Sequence, residues 1–176
     1  FVRKTFVATN DYLLNAQILV SNVSAEIIGL SNAASIWLGR INPVENVGPR
    51  GDIRGCDVEL QQNGKPRVVR VNPSKHDVTN TVGGSAQWLA MRNKYFAHVL
   101  IPSAPVPAVS AMSLGAANAR ELTVWAEMPL EDLAPGAAAI WDAALYAGPK
   151  SYHNLQLLPA LAGRGSQYLE LLNLRS

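Results

Sequence analysis

Tyr12-Leu13-Leu14-Asn15-Ala16-Gln17-Ile18-Leu19-Val20 alternates along its length. Tyr12, Leu14, Ala16, Ile18 and Val20 share one face of an extended chain, with Asn15 and Gln17 on the other. Asn10-Asp11 before it is a turn signal, and residues 1–8 are strand-like, so the two runs predict a hairpin. The same period continues through the chain. Residues 35–41 read as a short apolar strand stopped by Asn42-Pro43. Residues 56–60 and 67–71 flank Asn63-Gly64, the strongest short-range hairpin signal present, with Pro66 near the start of the second strand.

Residues 87–91 and 95–101 follow as strands around Arg92-Asn93-Lys94. After them, Pro102, Pro105 and Pro107 impose a stiff, extended stretch. Residues 109–114 and 121–128 form another expected pair around residues 115–118. Residues 137–146 make the last strand, although their alanines carry a competing helical propensity. Two connections stand out: residues 42–55, rich in Gly and Pro, and residues 72–85, polar with Gly83-Gly84. About ten short strands with this punctuation predict an all-β sandwich.

The tail differs. After Gly148-Pro149, where the strand should end with Gly148 at positive φ and a helix begin with Pro149 in its first turn, Tyr152, Leu155 and Leu158 fall at helical spacing until Pro159. Gly163 to Gly165 is a break, and Ser166 should cap a second amphipathic stretch with Tyr168, Leu169, Leu172 and Leu174 on one side. The expected architecture is one domain over 1–176, a β body over 1–147 and a tail of two short helices over 148–176.

Composition narrows function. The 176 residues hold 15 basic and 13 acidic side chains, a net charge of +2, which gives no basic field for a phosphate backbone. Nucleic-acid binding is therefore not expected. Charged residues make up 16%, against a usual ~25%, while 48% are hydrophobic, so disorder is excluded as the general state. One cysteine, Cys56, excludes an internal disulfide framework. No run reaches the ~18 apolar residues of a membrane-spanning helix, and no signal-peptide pattern opens the chain. The abrupt start without Met suggests a piece of a longer protein.

Chemistry is sparse. His76 lies in a polar loop beside Asp77, His98 on a strand with Phe96 and Leu100, and His153 on the outer side of the first tail helix. No His-x-His or His-x-x-x-His pair exists, so a metal site would need distant segments. Nothing near Cys56 supplies the base or helix N-terminus that lowers a thiol pKa. Trp37, Trp88, Trp125 and Trp141 all fall in expected strands, where packing competes with a role as sugar-stacking platforms. Asn22-Val23-Ser24 matches a glycosylation acceptor triplet, a pattern common by chance. No catalytic constellation or cofactor site is expected.

Three segments together resemble the periplasmic domain of bacterial YidC family membrane protein insertases. One is Trp88-Leu89-Ala90-Met91-Arg92-Asn93-Lys94-Tyr95-Phe96, closed by Ile101-Pro102. Another is Tyr146-Ala147-Gly148-Pro149-Lys150-Ser151-Tyr152, continuing to Leu155. The third is the opening, Tyr12-Leu13-Leu14 running on to Val20-Ser21-Asn22. The likeness does not extend over 42–85.

The resemblance implies a β-supersandwich, similar to galactose mutarotase and carbohydrate-binding domains, closed by helices that lead to a membrane span. It implies a non-enzymatic, cofactor-free role on the periplasmic side of the inner membrane. The partners would be nascent inner-membrane proteins and the Sec translocon, met through the full-length parent. Membrane contact would come through flanking spans, and the isolated domain would be a monomer. The candidate partner-facing or membrane-proximal residues are then Gly148, Pro149, Lys150, Tyr152, Leu155, Tyr168, Leu169 and Leu172. Two other classes stay open, a mutarotase-like enzyme pairing His98 or His153 with Glu121 or Glu127, and a glycan-binding module using Trp37 or Trp125.

Overall fold

A computed structural model describes residues 1–10, 12–30, 34–41, 54–74, 76–115, 121–162 and 166–172. The alternating opening folds as expected: β1 (Val2–Asn10) pairs antiparallel with β2 (Leu13–Ser21), placing Lys4 opposite Ile18 and Phe6 opposite Ala16. The Asn63-Gly64 signal also holds. β4 (Gly55–Gln62) and β5 (Lys65–Val71) turn there, with φ of 52° at Asn63 and 75° at Gly64, the left-handed pair a tight hairpin requires.

The sequence expectation fails at 72–85. Residues 78–85, read as part of a polar connection, are the first half of a 15-residue strand, β6 (Val78–Arg92). Its own alternation is weak because nearly every one of residues 78–85 is exposed, which leaves no buried face to alternate with, and Gly83-Gly84 interrupts it. The partner supplies the order. This half pairs with β8 (Val106–Leu114), and Thr81 Oγ1 and Ser110 Oγ share a hydrogen bond at 2.9 Å across the pair. The ladder shifts register between Gly83 and Ala86, opposite Pro107, so the proline sits where no donor is required.

β6 joins two halves of one sheet. Its last residues pair with β4 on one edge and with β7 (Phe96–Pro102) on the other, whereas Ala86 lies between Leu60 and Val106. β7 and β8 therefore follow one another along the same edge. From β7 the sheet continues through β10 (Ala138–Pro149) to β2 and β1. From β8 it continues through β9 (Glu121–Glu127) to β3 (Ser35–Ile41). Residues from both halves meet in one core, including Ile18, Leu89, Leu100 and Trp141 from one and Leu38, Val109, Leu122 and Val124 from the other. The sheet thus folds over as the expected sandwich.

The other face of the β10–β7–β6 region is covered too. Trp88, Ala90, Ala97, Val99, Ile101, Ala144 and Tyr146 point away from the sandwich core and pack under the tail. These central strands therefore read as nearly continuous apolar runs, since a strand buried on both faces has no polar face to alternate with. The tail is α1 (Tyr152–Ala162) and a short 3-10 turn, η1 (Tyr168–Leu172), so the second expected helix is one tight turn.

Three local expectations need correction. Pro159 lies inside α1 and does not end it. Pro149 is the last residue of β10, opposite Phe96, and is not in a helical first turn. Gly148 has no positive φ. The helix starts instead at Ser151, whose Oγ accepts the Asn154 N–H at 3.2 Å while its carbonyl accepts the Leu155 N–H at 3.0 Å. Of the expected loop at 42–55, Gly55 already belongs to β4 and residues 42–53 lie outside the described residues, as do the break at Gly163 to Gly165, Leu174 and residues 116–118.

Candidate functional site

The candidate tail residues do not form one surface. Leu155 and Tyr168 are buried and pack with Leu158 and Leu171 on the outer face of the sheet. Tyr152 and Leu169 point outward, at 62% and 38% exposure, and Leu172 is half-buried at the rim. Leu171, not singled out from the sequence, takes the inward place expected for Leu169. The cause is helix type. In a 3-10 turn residues three apart superpose, so Tyr168 and Leu171 share a side, whereas the α-helical period had grouped Tyr168 with Leu169 and Leu172.

A polar latch lies under this lid. Glu59 on β4 is 1% exposed. Its Oε2 accepts the Trp88 indole N–H at 3.0 Å and the Ser166 hydroxyl at 3.0 Å, and the same indole N–H donates to the Ser166 carbonyl at 2.7 Å. The Trp88 ring stacks on Tyr168 at 5.3 Å. Burial pushes the Glu59 carboxyl above its usual range, opposed by the hydrogen bonds from Ser166 and Trp88. Ser166 thus ties the tail to the sheet through a buried acid, in place of the capping role its sequence position suggested. Sequence reading missed Glu59 because Asp57 and Glu59 alternate with Cys56, Val58 and Leu60. That pattern normally marks a solvent face, and here the face is roofed by the tail.

Asp57, one step along the same face, is fully buried, and its Oδ2 accepts the Arg92 Nε–H at 2.8 Å with Arg70 Nε 3.7 Å away. Lys150, where β10 ends, belongs to this charged group. Burial, reinforced by the Arg92 charge, lowers its pKa to about 8, and its Nζ has no hydrogen-bond partner among the described residues. Gly148 lies nearby between Tyr12 and Tyr146, whose rings meet edge to face at 6.2 Å. A Cβ on Gly148 would come within 2.8 Å of Tyr12 Cγ and Tyr146 Oη. The motif from Tyr146 to Tyr152 thus carries a close approach of backbone to aromatic rings.

The other candidates are scattered. His76 and His153 are exposed, while His98 on β7 is half-buried and burial holds its pKa down. Glu121 pairs with Arg40 at 2.9 Å. Among the described residues no group of three or more His, Cys, Asp or Glu side chains could hold a metal ion. Burial raises the Cys56 thiol far above its normal range, the opposite of nucleophile activation. Trp88 and Trp141 are packed inside, whereas Trp37, 60% exposed, stacks on Trp125 at 5.2 Å across the β3–β9 pair. Asn22 of the acceptor triplet is buried, its amide donating to the Glu26 and Leu133 carbonyls at 2.7 and 2.8 Å.

Comparison with known proteins fits this architecture. A family model described as the YidC periplasmic domain matches residues 1–171. The chain is also similar to the membrane protein insertase YidC of Janthinobacterium sp. (strain Marseille), with 34% identity over 82 residues. That stretch covers 47% of this chain and 14% of the relative.

Proposed function

This chain belongs to the YidC periplasmic domain family, and from that premise we propose that it is the non-catalytic periplasmic domain of a membrane protein insertase. It works on the periplasmic side of the inner membrane, as part of a parent that inserts and folds inner-membrane proteins, alone or beside the Sec translocon. Residues 1–176 act in it as one unit, a β body over 1–147 with a tail over 148–176.

One observation carries the reading: the tail is a lid locked into the body. Leu155, Leu158, Tyr168 and Leu171 fill the second core, and Ser166 is held by Glu59 and Trp88. A rigid joint of this kind holds the chain that follows it in the parent at a fixed place and angle, which suits a domain that positions a neighbouring part. The test replaces residues 150–172 of the full-length insertase by a Gly-Ser linker of equal length. Loss of growth rescue after depletion of the native insertase, at equal membrane abundance, is expected. Full rescue would overturn the proposed role of the tail.

A further inference from the structure

The sheet ends at β1 on one side and β3 on the other, and where these edges face each other the sandwich is open. The opening is a cleft of about 450 Å³, within the range of small-molecule sites. One wall is the inner face of the first hairpin, where the cross-strand pairs Val2–Val20, Lys4–Ile18 and Phe6–Ala16 all line it. The opposite wall is the edge of β3 and the residue before it, over residues 34–38, and Leu100 and His98 stand deeper in.

The lining has a marked chemical pattern. Among the described residues it is apolar except for Ser35, His98 and Lys4, and none of them is acidic. Lys4 is an exposed residue on an edge strand with a charged head to offer, and it makes no ion pair among the described residues. Phe6 and Trp37, 57% and 60% exposed, stand on the two walls. Such a site suits a ligand with an apolar body and one negative end. The lining side chains offer a peptide's backbone few partners, so a peptide could be held only along the edges of β1 and β3, whereas an acyl chain fills the apolar space between them with no polar group to satisfy.

We propose that this cleft binds a single acyl chain ending in an anionic head, with the chain between the first hairpin and β3 and the head at Lys4. The site lies apart from the tail and does not depend on the reading of the lid.

The test is titration of the 176-residue chain, below micellar concentrations, with decanoate, decyl phosphate, 1-decanol and decyltrimethylammonium, followed by tryptophan fluorescence and calorimetry. The two anions should bind one per chain and at least tenfold more tightly than the alcohol or the cation. Lys4→Glu, a change at an exposed position, should abolish that preference, and Ala16→Leu, which fills the cleft, should weaken all four ligands. Sedimentation with phosphatidylglycerol vesicles that Lys4→Glu removes would make a bilayer lipid the source of the chain. Anion binding without such sedimentation would make it a free fatty acid. Equal binding of anion and cation, indifference to Lys4→Glu, or displacement of decanoate by an extended apolar peptide that binds more tightly would overturn the proposal.

Discussion

Gly148 sits where the Tyr12 and Tyr146 side chains close over the backbone, and a Cβ there would lie 2.8–2.9 Å from their atoms. Overpacking of this kind costs roughly 1–3 kcal/mol, so Gly148→Val should lower the Tm by roughly 2–12 °C in thermal unfolding. The sequence marked this glycine, but for a left-handed turn; the real constraint is a contact with Tyr12, far away in the chain, which no local pattern carries. Glu59 gives a pH signature. Its carboxyl has a folded pKa above the unfolded value, so the stability it lends is complete at low pH and is lost as pH rises through the folded value. Glu59→Gln keeps an acceptor for Trp88 and Ser166 without the buried charge. Its Tm should match the parent near pH 4 and exceed it increasingly as pH rises from there to 7. Lys150 behaves oppositely: its pKa falls from 10.5 to about 8, so parent stability should rise between those values as the unfolded chain alone stays protonated. Lys150→Met should be more stable than the parent at pH 7 and show no such rise.

At the scale of elements, the lid is decided by which leucines face inward. Leu171 is fully buried in η1, so Leu171→Ala should cost roughly 2–5 kcal/mol, or about 4–20 °C in Tm. Leu169→Ala, at a half-open position, should move the Tm by about 2 °C or less. Equal effects would place the turn in the wrong register. The elements legible in the sequence were those that carry their own signal: the β1–β2 alternation, the Asn63-Gly64 hairpin, and β3 over residues 35–41. Those that were not owe their form to neighbours. The first half of β6 is a strand because β8 pairs with it, and α1 runs past Pro159 although the proline removes one backbone donor. The buried acids of β4 looked exposed because local sequence does not reveal that a tail roofs them.

For the whole molecule, one long strand makes the architecture: β6 belongs to both halves of the folded sheet and also carries Trp88, the partner of the latch. Disturbance of the lid therefore reaches the strand that unites the sandwich. The all-β class and the family likeness could be read from the sequence. The candidate site could be read only as a region, since its residues divide between a buried joint and an exposed rim. The central claim is that this joint matters to insertion, and a graded series tests it most directly. In the full-length insertase, Leu169→Ala, Leu155→Ala, Leu171→Ala and the Leu155→Ala/Leu171→Ala double variant are compared at equal membrane abundance. Membrane insertion of a reporter is scored against hydrogen exchange of the α1 amides. Insertion should fall in step with lid opening, with Leu169→Ala near the parent and the double variant lowest. Unchanged insertion in the double variant, with α1 fully exchanging, would contradict the account.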